Sequence, residues 1–265
     1  MMQLHTTARK KFGRFKKQPP LATRQLQSNE NEAVKVFRYA WERYGDVRWS
    51  LCLEDRYKIA VDLVGDFRAS AHDVGLMIAA AADLEAKSDI DHMDKVGFLI
   101  SAFINGGSDS TYGISTHHLP VPPRGLGQQN TKNLIIHGNG LRATGCYMKS
   151  GTIMIYGDAG SYTGDRMKGG TIIVEGNTDG YTGLYMAGGE IIMKGSFGES
   201  LGMGMCGGTI IAYGGLNSLP KRTQYAGQYM HGGEIHICGH YPYSFELSEV
   251  NGGKIYCQGY LVVDK

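Results

Sequence analysis

The sequence is poor in proline, with 7 in 265 residues, and it has no C-x2-C cysteine pair, no apolar run of membrane-spanning length and no excess of either charge. Each lack removes a class of protein. Five cysteines (Cys52, Cys146, Cys206, Cys238 and Cys257), odd in number and widely spaced, offer neither a disulfide framework nor an iron–sulfur spacing. A reduced, cytoplasmic compartment is the expectation. The absence of a long apolar run predicts no membrane insertion, and residues 1–20 lack the apolar centre of a secretion signal. A net charge of +2, from 27 basic and 25 acidic side chains, gives no general signal for nucleic acid.

The charge is uneven along the chain. Residues 1–29 hold Arg9, Lys10, Lys11, Arg14, Lys16, Lys17 and Arg24 and no acid, so 1–30 reads as a basic arm, either solvated or strapped across a partner subunit. From 31 to 107 apolar residues recur at helical spacing, as in Val36, Tyr39 and Ala40, over Val47–Ala60, and over Val74–Leu84. A helical domain of three to five helices is expected there, with Cys52 as a small buried side chain. Ser88 and Asp91 stand where they would precede a helix around His92–Ile104, and Asn105-Gly106-Gly107-Ser108 would stop it. Residues 108–131 carry turn formers and three prolines and read as a linker or ordered strap, with the adjacent His117 and His118 at a surface or interface.

What the chain has in abundance is glycine. Of its 39 glycines, 29 fall between residues 132 and 265, and they fall in register. Gly138, Gly157, Gly176, Gly195, Gly214, Gly239 and Gly259 each end a short β-branched run, at intervals of 19, 19, 19, 19, 25 and 20. Seven residues after four of these come Gly145, Gly164, Gly183 and Gly202, and three residues later a methionine column, Met148, Met167, Met186 and Met205, which Met230 continues. A fixed period with tolerated insertions marks a solenoid. Five-residue strands in a 19-residue unit leave no room for an ordinary helix, and the glycines oppose one. A mainly β fold follows, a parallel β-helix over 132–265 in which each circuit stacks on the last.

Alternation within the strands separates two faces. The pairs Ile153/Ile155, Ile172/Val174, Ile191/Met193, Ile210/Ala212, Ile235/Ile237 and Ile255/Cys257 are assigned to the interior, with the methionine column as a second interior ladder. The opposite face is also apolar, at Ile135, Met154, Ile173, Ile192 and Ile211. A rod cannot turn both faces inward, so this stripe is expected to meet the helical half, another subunit, or both. The insertion 215–227, with Lys221 and Arg222, is a further candidate contact for an acidic partner.

An enzyme acting in a cleft between the helical half and the rod would need a nucleophile–base pair or metal set. Asp158, Asp165 and Asp179 fall at or near corners, where aspartate caps turn amides. His231, His236, Cys238 and His240 form the most ligand-like cluster, with zinc as one reading and terminal strand residues as the other. No glycine run has the ending of a phosphate-binding loop. No catalytic residue and no cofactor is assigned.

The phrase MKGGTIIVEGNTDGYTGLYMAGGEIIMKG, residues 167–195, resembles the glycine-repeat (GXGXG) domain at the carboxyl end of the glutamate synthase large subunit and in the glycine-repeat subunit of formylmethanofuran dehydrogenase. The resemblance covers about 132–265 and implies a right-handed parallel β-helix without a catalytic group of its own, which positions neighbouring catalytic domains or subunits. The chain departs from the large glutamate synthase subunit: it opens on Met-Met rather than a nucleophilic cysteine, and it has no length for a flavin barrel. The resemblance therefore implies a structural subunit of a glutamate-synthase-like amidotransferase or redox complex, or alternatively the scaffold of a one-carbon, formyl-processing complex. Catalytic protein subunits, or a second copy of the chain, are the expected partners.

Overall fold

A computed structural model of the chain describes residues 31–44, 52–85, 93–119, 123–140, 142–216, 226–241 and 249–265. The basic arm, the segment around Ser88, Asp91 and His92, and Lys221 and Arg222 lie outside the described residues.

Four helices come first: α1 (Glu32–Tyr44), α2 (Leu53–Val64), α3 (Ala71–Glu85) and α4 (Met93–Gly106). In α1 the buried residues Ala33, Phe37, Ala40, Trp41 and Tyr44 follow helical spacing, so one face is apolar and the other wet. α4 is the hub of the bundle, buried on every side from Lys95 to Ile104. Its Phe103 meets Phe37 at 6.3 Å and Phe67 edge-on at 6.0 Å. α3 opens on a capping box, in which Ser70 Oγ accepts from the Asp73 amide and Asp73 Oδ2 accepts from the Ser70 amide. The expectation of a helix across Val47–Ala60 is corrected: α2 begins at Leu53, and 45–51 lie outside the described residues. Cys52, expected to be buried, is exposed, with its thiol 3.2 Å from Asp55 Oδ2.

The rest of the chain winds into a β-solenoid. Its nine-stranded sheet runs in chain order: β1 (Thr111–Ser115), β2 (Asn133–His137), β3 (Thr152–Ile155), β4 (Thr171–Val174), β5 (Glu190–Met193), β6 (Thr209–Ala212), β7 (His231–Ile237), β8 (Gly252–Cys257) and β9 (Tyr260–Asp264). All neighbours are parallel except β8 and β9. The register keeps the sequence period, Thr152 facing Thr171, Thr171 facing Glu190, and Glu190 facing Thr209. Eight parallel strands at the usual spacing make a ladder roughly 34 Å long. β9 turns back and closes the last parallel edge, burying Val263.

The rod begins earlier than its glycine register. β1 lies inside the segment expected to be a linker, and it pairs with β2 over its whole length. That first circuit escapes the pattern because Asn130 stands where later circuits have methionine, and Thr116 where they have the strand-ending glycine. The glycine pair at 232–233 sits within β7, where the β7–β8 register is irregular between His231 and Glu234.

The interior is the one alternation predicts. Ile153, Ile155, Ile172, Val174, Ile191, Met193, Ile210, Ala212, Ile235, Ile237 and Ile255 are buried, while Cys257, in the last parallel circuit, is half-buried. The methionine column is wholly buried, and its backbone stitches circuits together. Met148, Met167 and Met186 carbonyls accept the amides of Lys168, Ala187 and Cys206, each at 2.8 Å. Glycine is needed where the column closes on itself. Gly189 has φ +89°, and a Cβ there would stand 2.6 Å from both the Gly170 carbonyl oxygen and Met167 Cε.

Gly189→Val is therefore expected to lose at least about 1–2 kcal/mol from the left-handed backbone alone, with the overlap adding to it. Gly75, exposed in α3 with nothing within 4 Å of a built Cβ, gives the opposite sign. Gly75→Ala gains about 0.5–1 kcal/mol. Thermal denaturation of the two variants beside the wild type checks both, and an unchanged midpoint for Gly189→Val rejects the close approach described at Gly189.

Candidate functional site

The aliphatic stripe Ile135, Met154, Ile173, Ile192 and Ile211 runs up the outer face of the sheet, each side chain half-buried against its neighbours in the stack. Beyond Ile211 it changes character, to His236 stacked on Tyr256 with ring centroids 4.5 Å apart. Along its border, His137 stacks on Tyr156 at 5.3 Å and Lys194 pairs with Glu175 at 2.7 Å. Among the described residues the main helix–sheet packing is α3 against β1, at the end of the rod and ahead of the stripe, which starts on β2.

The strand-ending glycines hold a column in which each circuit's backbone rests on the last. A Cβ at Gly157 would lie 2.5 Å from the Gly138 carbonyl oxygen, and one at Gly176 2.6 Å from that of Gly157. Gly195, Gly214 and Gly239 repeat the contact, whereas Gly259 has open space around it. A neighbouring ladder caps the same corner. Asn139, Asp158 and Asn177 each accept, through a side-chain oxygen, the amide of the residue one circuit on, at 2.7–2.9 Å. That is the role of Asp158. His231, Cys238 and His240 are exposed, and His236 Nε2 lies 3.2 Å from Glu234 Oε2. Among the described residues no group of three or more His, Cys, Asp or Glu is placed to share a metal ion.

The third wall, between the strand-ending glycines and the methionines, holds what sequence reasoning missed. Tyr147, Arg166, Tyr185 and Tyr229, each just before a methionine, have φ between 51° and 57°. The recurrence of tyrosine at that place was the available signal. The Arg166 guanidinium lies between two of these rings, 5.6 Å from Tyr147 and 5.2 Å from Tyr185.

Where this wall meets α2 and α4, the structure forms a cleft of about 460 Å³, with Arg56, Arg124, Arg142, Arg166 and Asp165 among its lining. α4 is fastened beside it. Ser101 Oγ accepts the Gly127 amide at 2.8 Å, Asn105 Nδ2 donates to the Gln128 carbonyl at 3.0 Å, and a Cβ at Gly97 would overlap the Arg124 carbonyl. Asn105 also donates to the Tyr57 hydroxyl, whose pKa burial pushes up to about 12. Asp165, 3% exposed, accepts from Arg166 Nη1 at 2.7 Å and from the Cys146 thiol at 3.6 Å, both through Oδ2. Its Oδ1 is buried without a partner. Burial raises the Asp165 pKa above the ordinary carboxylate value, and Arg166 opposes that shift. Burial, with the Asp165 charge beside it, keeps Cys146 a thiol.

A raised native pKa sets the sign of one pH effect. The stability tied to protonated Asp165 is complete below the unfolded value, about 3.9, and is lost as pH rises through the higher native value. Asp165→Asn, which does not titrate, is thus expected to gain on the wild type in thermal midpoint as pH rises above about 4. A gap that moves the other way would show the carboxylate to be net stabilised by its partners.

Against known families, residues 104–225 match the model described as the GXGXG motif. The match starts ahead of β1, so it takes in the circuit that the glycine register leaves out. No curated protein matches the chain. Residues 104–225 thus carry a GXGXG motif, matching the domain of the glutamate synthase large-subunit family.

Proposed function

We propose that the chain is a structural subunit that docks catalytic protein partners on its rod, within an amidotransferase or redox assembly of the glutamate synthase kind. The observation that carries this reading is the outer stripe from Ile135 to Ile211. It is aliphatic, set on a sheet whose every strand is hydrogen-bonded to its neighbours, and, among the described residues, away from the main helix–sheet packing. An apolar row on so stiff a wall suits a partner that must be held at fixed distance and angle. The GXGXG match supports the family context, and the resemblance to glutamate synthase supplies the kind of partner. The interior is closed to a partner, being filled mainly by aliphatic and methionine side chains.

Native purification of the tagged full chain, followed by identification of co-purifying proteins, tests this. A partner carrying glutamine-hydrolysing or flavin-dependent activity is expected, and it should be lost from Ile173→Asp/Ile192→Asp, a change confined to the outer face. Recovery of formyl-processing enzymes would move the chain to the alternative complex. A chain that purifies alone and monomeric, with the double variant behaving as wild type, overturns the docking reading.

A further inference from the structure

The cleft between α2 and the third wall combines features that a docking role for the outer stripe does not require. Its volume of about 460 Å³ is that of a small-metabolite site. Its charge is lopsided, four guanidinium groups facing the single carboxylate of Asp165, with Glu54 acting on the neighbouring Cys146 and Tyr147. Arg166 is taken up by Asp165. Arg142 lies 4.5 Å over the Tyr162 ring, a stacking that uses the guanidinium face and leaves its edge N–H groups for a planar acceptor. Arg124, half-buried, forms no ion pair among the described residues.

The opposite requirement stands beside these cations. Asp165 is 3% exposed, lines the cleft, and has one oxygen buried without a donor. Leaving a buried acceptor unmade costs about 1–3 kcal/mol, more when it is charged. A water would satisfy that oxygen but would leave Arg124 and Arg142 without a counter-charge. Leu53, Phe98 and Leu184 add an apolar lining suited to a short carbon skeleton.

We propose that this cleft binds a small organic anion, a carboxylate or a phosphate, whose anionic oxygens are held by Arg124 and Arg142 and whose own O–H or N–H donates to Asp165 Oδ1. The site lies at the junction of helical bundle and rod, away from the outer stripe, and does not depend on what docks there.

The discriminating property is the donor. Isothermal titration of the full chain at mildly alkaline pH compares inorganic phosphate, which keeps one proton, with sulfate, which has none. A second pair, lactate and propionate, makes the same comparison for a carboxylate. In one pair the donor-bearing member is expected to bind at least about tenfold more tightly, and the pair that responds tells phosphate from carboxylate. Arg124→Gln/Arg142→Gln abolishes binding, and Asp165→Asn, whose amide can donate, closes the gap within the pair. Equal binding of the two members in both pairs, no saturable binding by any of the four, or binding that survives the double arginine change overturns the proposal. The wild-type comparison and the arginine variant decide the matter even if Asp165→Asn fails to fold.

Discussion

Every circuit of this rod depends on backbone groups that it cannot satisfy alone. The amide of Gly164 finds the Thr144 carbonyl of the circuit before, Gly183 finds Thr163, and Gly202 finds Thr182, while Ala159 and Tyr162 donate forward to Asn177 and Gly180. A buried peptide group without a partner is costly, so no circuit is stable without neighbours on both sides, and the two end circuits need something else. At the first end the helices supply it, through Tyr112, whose hydroxyl donates to the Ala69 carbonyl, and through Ser101 and Asn105 of α4. At the other end β9 supplies it by pairing back on β8.

The same constraint explains the residue types. Stacking at strand spacing brings each circuit's backbone against the last, so positions such as Gly176 and Gly189 have no room for a Cβ. It also places like on like. Isoleucines sit over isoleucines inside, Asn139, Asp158 and Asn177 form a capping column at one corner, and Tyr162 stacks on Tyr181 at 5.0 Å outside. Where the left-handed turn residues are tyrosine or arginine rather than glycine, the strain of about 1–2 kcal/mol each is offset by inter-circuit bonds such as Tyr147 to the Asp165 carbonyl at 2.8 Å.

A rod so built has two surfaces with different prospects. The sheet face is a repeated aliphatic row whose shape is set by the strands, which suits a protein surface. The third wall changes its side chain from circuit to circuit, Gln128, Cys146, Asp165, Leu184, Met203 and then Gln228, and it is there, under α2 and α4, that charge gathers. Sequence variation at a repeated position costs nothing to the backbone ladder, so the chemistry of a local site is free to be written on it.

The glycine period, the alternation of isoleucines and the methionine column were legible because each restates a local rule nineteen residues later. They determined the solenoid, its interior and its outer stripe, and helical spacing determined the presence of a bundle before it. The first circuit was not legible, since Asn130 and Thr116 break the repeat, and beside Asn130 it is Asn105 of α4 that meets the backbone, at Gln128 and Thr131. Nor was the placing of the helices at the rod's end, or the cleft. Arg124, Arg142 and Asp165 are separated in the chain by a circuit or more, and only stacking and the docking of α4 bring them together. Periodicity records contacts between neighbouring circuits, whereas a contact between bundle and rod occurs once, so it leaves no repeating trace in the sequence and is decided by tertiary packing alone.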